Sequence, residues 1–259
     1  MDKLPDHLRQ PFIQLLLSIA DDKFILGHRN ADWTGLAPIL EEDIAFSALS
    51  QDEIAHASAL YQMVADLLGT KADKLAFGRA PEEYRCAQIV ELSDEFNWAT
   101  AIGRNFFCDH FDWVRLQRLA QSDYMPIAQL AARLAAEERI HVEHTDSWIR
   151  RLARGGEPAH GRMQEALNSL APLAPALFEP TEGLDLLEAE AIYPQTQPGT
   201  YGRWTEDLQG VARYAGLVIN PQPATMAGIG GRHGKHSAAF VPLLDELTEV
   251  YRIEPEAAW

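Results

Sequence analysis

Two glutamate and histidine pairs are the residues of this sequence best suited to chemistry. Glu53 precedes His56 by three residues, and Glu138 precedes His141 by the same interval. Residues three apart share one face of an α-helix, so each pair can direct a carboxylate and an imidazole to one point. Such ligands suit iron or manganese, and open coordination positions on the metal would let oxygen bind.

Polar residues interrupt the apolar stripes of three predicted helices. The stripes are Phe46, Leu49, Glu53, His56, Leu60, Met63, Leu67; then Ile102, Phe106, Asp109, Trp113, Leu116; then Ile127, Leu130, Leu134, Glu138, His141, Thr145, Trp148. A buried polar group without a partner costs about 2 to 7 kcal/mol. We therefore expect Glu53, His56, Asp109, Glu138 and His141 to satisfy one another, either through a metal or through hydrogen bonds. Paired Glu-x-x-His helices with carboxylates from two further helices are the pattern of ferritin-like di-iron proteins.

The first predicted helix departs from that pattern at Lys23. Its apolar stripe is Phe12, Leu16, Ile19, Lys23, Leu26, which places a lysine where a bridging glutamate is expected. A buried ammonium could supply the positive charge of a metal by pairing with Glu53 or Glu138, and the metal site would then be vestigial. In the competing interpretation Asp22 turns inward and completes a metal site, while Lys23 extends to solvent. The first interpretation is favoured.

The elements that must position these residues are helices. Four long helices are predicted over roughly 11–29, 38–69, 88–120 and 126–154, and shorter ones over roughly 162–178, 182–191, 205–215 and 240–251, with a loop over 70–85. No strand alternation competes, so the fold class is all-α. We predict a ferritin-like four-helix bundle over 1–156 and a C-terminal extension over 157–259, whose helices and glycine-rich tail pack on the bundle.

Composition narrows the range of functions. The 259 residues carry a net charge of -16. This charge disfavours binding to nucleic acid, because no basic surface is available to displace counterions from phosphates. Cys86 and Cys108 match no zinc or disulfide pattern and are predicted to be buried thiols. No apolar run is long enough for a membrane helix, and no signal-peptide pattern is present, so we expect a cytoplasmic protein.

The segment from Trp33 to Pro38 and the glycine-rich tail from Gly230 to His236 resemble one family, the C-type subunits of bacterial phenylacetyl-CoA epoxidase. The resemblance covers nearly the whole chain, and its most specific parts are the segment Trp33-Thr34-Gly35-Leu36-Ala37-Pro38 and the glycine-rich tail Gly230-Gly231-Arg232-His233-Gly234-Lys235-His236. Further matching segments are Asp52-Glu53-Ile54-Ala55-His56-Ala57, Phe107-Cys108-Asp109 and Met163-Gln164-Glu165-Ala166. The resemblance implies a ferritin-like fold and a place in phenylacetate catabolism.

The same resemblance implies different roles for the A-type and C-type subunits. In such complexes an A-type ferritin-like subunit holds the di-iron centre that epoxidises the aromatic ring, and the C-type subunit is a structural partner. We therefore expect no cofactor in this chain. We also expect an A-type subunit as its partner, and an assembly that is a homodimer of this chain or a heterotetramer. Both Glu-x-x-His pairs are nevertheless retained, so a di-iron oxygenase that binds two irons itself is the alternative. An iron-storage role is weaker, since the C-terminal extension has no obvious use there.

The glycine-rich tail allows two interpretations. Its basic residues, Arg232, His233, Lys235 and His236, could meet a CoA phosphate, because glycines permit close approach of the backbone. The favoured interpretation is a mobile surface loop that docks on a partner.

Overall fold

A computed structural model describes residues 3–196, 199–221 and 228–255. These residues form α-helices and short 3₁₀ turns and contain no strand, which confirms the all-α prediction. The α-helices, in chain order, are α1 (Arg9–Ala31), α2 (Leu40–Leu68), α3 (Ala72–Phe77), α4 (Gln88–Glu91), α5 (Trp98–Leu119), α6 (Met125–Ala153), α7 (Glu157–Leu170), α8 (Leu184–Ala189), α9 (Thr200–Ala215), α10 (Phe240–Leu247) and α11 (Glu249–Ile253). No helix among the described residues is both long and apolar enough to cross a membrane.

The chain separates into two compact units. The α1–α2 unit comprises Arg9–Ser93, Glu179–Glu182 and Gly228–Trp259. The α5–α6 unit comprises Met1–Leu8, Asp94–Phe178 and Gly183–Ala227. The predicted domain boundary at residue 156 falls inside the α5–α6 unit, where α6 and α7 pack on each other.

In the α1–α2 unit, the two long helices pack as an antiparallel hairpin. The Ser50 hydroxyl donates to the Gly27 carbonyl, and Tyr61 further along α2 meets Asp21 nearer the start of α1. Gly27 permits this approach, because a Cβ there would lie only 2.9 Å from the Ile54 side chain. Side chains from α1 and α2 are consequently forced into close contact.

In the α5–α6 unit, α5 and α6 also run antiparallel. Trp98 at the start of α5 packs edge-on against Trp148 near the end of α6, with ring centroids 5.2 Å apart. Helix α5 buries most of its length, including charged residues, since α6, α7 and α9 all pack against it. Its buried Arg104 is neutralised by Asp94, and Arg118 by Glu188.

Several element boundaries differ from the prediction, and three of these differences change how the chain is divided into helices. The predicted helix over 88–120 is broken, because Glu95 and Phe96 adopt positive φ and Asn97 caps α5 by accepting from the amides of Ala99 and Thr100. The predicted loop over 70–85 contains α3, and Thr248 separates α10 from α11. Local turns and caps decide these boundaries, and apolar periodicity does not reveal them.

Candidate functional site

Lys23 lies buried in α1 and pairs with Glu53 of α2. Its ammonium Nζ donates to Glu53 Oε2 at 2.9 Å, and the two side chains are 0% and 1% exposed. The competing expectation that Lys23 reaches solvent is therefore wrong, and the favoured pairing with Glu53 is confirmed. An isolated charge of either sign would be costly at this depth, so each residue depends on the other.

Asp22, one position earlier, faces the C-terminal tail. Its two carboxylate oxygens accept from Arg232 at 2.7 and 2.8 Å, and Oδ1 also accepts from the Ala87 amide at 2.8 Å. A forked guanidinium that binds both carboxylate oxygens is a strong and directional contact. To act as a metal ligand, Asp22 would have to give up these bonds.

Asp21 is also held by a cation. Arg79 forms an ion pair with it, and the Tyr61 hydroxyl donates to Oδ1 at 2.6 Å. Burial, followed by the Asp21 charge, raises the pKa of Tyr61, so the phenol keeps its proton and serves as a donor. The amide of Arg85 donates to Oδ2 at 2.6 Å. Both carboxylates of α1 thus form ion pairs and hydrogen bonds within the α1–α2 unit.

These contacts are a test of whether the α1–α2 unit suits a di-iron centre. The position that should present a carboxylate to Glu53 presents an ammonium, and the neighbouring carboxylates are bound by arginines. A cation beside a bridging carboxylate repels a metal ion and weakens the carboxylate as a ligand. The α1–α2 unit therefore does not fit the ligand set of such a centre, although His56 is buried one turn beyond Glu53.

The α5–α6 unit gathers the other three predicted site residues. Asp109, Glu138 and His141 are all buried, and each offers a ligand atom within 4.8 Å of the others. His141 Nδ1 lies 3.8 Å from Glu138 Oε1. The antiparallel packing of α5 on α6 brings Asp109 level with the Glu-x-x-His pair, as the two apolar stripes predicted. That all five predicted residues form one metal-site-like cluster stays a prediction.

Sequence reasoning missed the arginines that bind the α1 carboxylates. Arg79 lies in the segment predicted as a loop, and Arg232 lies 210 residues from Asp22. In the sequence, the glycines around Arg232 could have indicated that this segment packs closely against another part of the backbone. A Cβ on Gly231 would overlap the Cys86 carbonyl, and one on Gly234 would overlap the Glu82 carbonyl.

The prediction that the tail is a mobile surface loop is therefore wrong. Gly231 and Arg232 are buried, and Arg232 also donates to the carbonyls of Ser18 and Arg85. Close backbone contact and an ion pair fix this segment within the α1–α2 unit. Arg232 is accordingly not available to a CoA phosphate, while His233 remains half exposed.

Comparison with known proteins identifies relatives along the whole chain. The family model described as phenylacetic acid catabolic protein matches residues 1–259. The 1,2-phenylacetyl-CoA epoxidase of Escherichia coli K12 provides two relatives. Its C-type subunit is 28% identical over 247 residues, which are 94% of this chain and 97% of the relative. Its A-type subunit is 23% identical over 181 residues, which are 70% of this chain and 58% of the relative.

Proposed function

The chain belongs to the phenylacetic acid catabolic protein family, and we propose that it is the structural, non-catalytic C-type subunit of a phenylacetyl-CoA epoxidase. In this proposal a catalytic A-type subunit holds the di-iron centre and the substrate. The present chain keeps that subunit in its active conformation, and the complex works in the cytoplasm. The similarity to the C-type subunit of the Escherichia coli enzyme, along almost its full length, supports this assignment.

The ion pair between Lys23 and Glu53 is the observation that carries the proposal. A catalytic chain of this type needs carboxylates at the metal, whereas this chain places an ammonium against the Glu53 carboxylate. The buried charge is balanced within the protein, so the fold needs no metal at this position. For this reason we propose that this chain does not itself react with oxygen.

Exposed apolar residues at the start of α2 support a protein partner. Leu40 and Ile44 lie four residues apart on one face of α2 and are 70% and 65% exposed, and Leu36, in the turn before the helix, is 58% exposed. Large apolar side chains clustered at the surface are typical of protein interfaces. Glu41, Glu42 and Asp43 add negative charge beside these apolar residues, which favours a partner with basic residues around an apolar patch.

Coexpression with an A-type subunit from the same source tests the proposal. We expect the two chains to co-elute in size-exclusion chromatography, and epoxidation of phenylacetyl-CoA to require both. Leu40→Glu should weaken the complex by at least about 10-fold, because it puts a charge into an apolar contact. Leu186→Glu, at an exposed leucine of α8, is the matched control and should leave co-elution unchanged. Full epoxidase activity without the present chain would refute the proposal.

A di-iron oxygenase is the second candidate, favoured by the clustering of Asp109, Glu138 and His141 in the α5–α6 unit. Metal analysis of the chain purified after growth with iron separates the two candidates. We expect well below one iron per chain. About two irons per chain, lost in Glu138→Ala, would favour the oxygenase and overturn the structural assignment.

A further inference from the structure

Cys86, Glu91 and His236 converge in a buried cluster of the α1–α2 unit. Cys86 Sγ lies 3.6 Å from Glu91 Oε1 and 3.8 Å from His236 Nδ1, and His236 Nδ1 lies 2.6 Å from Glu91 Oε1. Cys86 and Glu91 are fully buried, and the His236 side chain is 5% exposed. Thiolate, imidazole and carboxylate are the side-chain ligands that zinc binds in proteins.

The surrounding backbone holds the three side chains in place. Gly231 packs directly on the carbonyl of Cys86, and the Gln88 side chain donates to the Lys235 carbonyl at 2.9 Å. The Ser237 amide donates to Glu91 Oε2 at 2.7 Å, which orients that carboxylate. The His236 ring stacks on Phe240 with centroids 4.0 Å apart. A site whose ligands are already oriented loses little conformational entropy when it binds an ion.

We propose that Cys86, Glu91 and His236 bind a single divalent cation of the zinc class. For bonds of about 2.3 Å to sulfur and about 2.0 Å to nitrogen and oxygen, tetrahedral geometry separates the ligand atoms by about 3.3 to 3.6 Å. The two separations that involve Cys86 lie close to this range. The separation between His236 and Glu91 is shorter because a hydrogen bond joins them, and a modest side-chain rotation would open it.

The charges of the cluster balance when the cation is bound. One thiolate and one carboxylate neutralise a divalent ion, which suits a buried position. Burial and the nearby Glu91 charge raise the pKa of the Cys86 thiol, so the thiol is protonated without the ion. Binding transfers the thiol proton to solvent and forms the sulfur–metal bond, and the neutral His236 ring binds through Nδ1 with its proton on Nε2.

Two buried polar atoms next to the cluster support a further ligand. Ser237 Oγ and His236 Nε2 have no hydrogen-bond partner among the residues that the structure describes. Buried polar groups of this kind are usually satisfied, often by water. A water bound near the cluster would satisfy such a group and could also complete the coordination of the ion.

Titration of the purified full chain with Co²⁺, after treatment with a chelator, tests the proposal. We expect one equivalent to produce a thiolate-to-cobalt absorption band in the near ultraviolet, and one equivalent of Zn²⁺ to abolish it. Cys86→Ser should remove the band, and His236→Gln should weaken Zn²⁺ binding by at least about 100-fold, since even residues that only orient a ligand cost about 10- to 100-fold.

Matched variants control for the other thiol and for a neighbouring histidine. Cys108→Ser, at the other buried free cysteine, and His233→Gln, at a half-exposed histidine, should both retain the band. Circular dichroism verifies that each variant is folded. The absence of a band in the unmodified chain would show that the cluster is only a hydrogen-bonded anchor for the tail. A band that persists in folded Cys86→Ser would overturn the assignment of the ligand.

Discussion

At the scale of the residue, the chain contains buried ions that pair with a residue of opposite charge. Lys23 and Glu53 neutralise each other inside the α1–α2 unit, and Asp22 is neutralised by Arg232. Such pairs contribute modest net stability compared with apolar residues of similar volume, yet removal of one partner leaves an uncompensated buried charge. The consequences of single and double substitutions should therefore differ sharply.

Lys23→Met should lower the free energy of unfolding by about 3 to 5 kcal/mol, since the Glu53 carboxylate loses its counter-ion in a buried position. The double variant Lys23→Met with Glu53→Leu should recover most of that loss. Urea unfolding followed by circular dichroism provides the measurement. Lys74→Met, at an exposed lysine of α3, is the control and should change the free energy by no more than about 0.5 kcal/mol. A single variant as stable as the control would contradict the pairing.

His28 makes stability depend on pH. Burial lowers its pKa from 6.5 to about 4, so the unfolded chain binds a proton more readily than the folded chain between these values. The contribution of His28 is fully present above pH 6.5 and is lost as the pH falls from 6.5 toward about 4. His28→Gln should flatten the fall in unfolding free energy across that window, whereas His7→Gln, at an exposed histidine, should not. Equal slopes for His28→Gln and the unmodified chain would disprove this effect.

At the scale of the element, glycines allow the tail to reach its place. Residues 230–237 lie against the segment over 82–91 through backbone contacts and the bonds to Glu91, and Arg232 also pairs with Asp22 of α1. Side-chain contacts alone would not specify so close an approach. The tail therefore acts as a structural element of the α1–α2 unit, even though it contains only a short 3₁₀ turn.

Gly231→Ala should detach the tail, because the added Cβ overlaps the Cys86 carbonyl and backbone must move to relieve the contact. We expect faster limited proteolysis within 228–237, detected by mass spectrometry. Gly210→Ala in α9 is the matched control, since no atom lies within 4 Å of a Cβ there. It should stabilise the chain by about 0.5 to 1 kcal/mol through helix propensity. Equal proteolysis of the two variants would refute the packing argument.

At the scale of the whole molecule, stability responds to whatever binds the folded chain. An A-type subunit that binds only the folded form should raise the thermal midpoint, with about 2.7 kcal/mol gained at a concentration 100 times the dissociation constant. Fe²⁺ added under anaerobic conditions to the Cys86→Ser variant should leave the midpoint unchanged, because Lys23 already balances Glu53. Differential scanning calorimetry measures both. A thermal midpoint that rises with Fe²⁺ but not with the A-type subunit would contradict the structural role and favour the di-iron oxygenase.

Periodicity along the sequence predicted the all-α fold class and the buried faces of the long helices. The apolar stripes specified which residues of α1, α2, α5 and α6 point inward, because helical periodicity is a local property. They predicted that Lys23 points inward and pairs with Glu53 or Glu138, and that Asp109 lies level with Glu138 and His141. The family followed from short motifs that likewise need no coordinates.

The partner of each buried charge is a property of the folded chain. Asp22 could have turned toward a metal or toward a cation, and nothing in its neighbourhood of the sequence indicates Arg232, 210 residues away. The cluster of Cys86, Glu91 and His236 likewise joins positions separated by up to 150 residues. Long-range pairing depends on how the chain folds back on itself, and local periodicity does not contain that information.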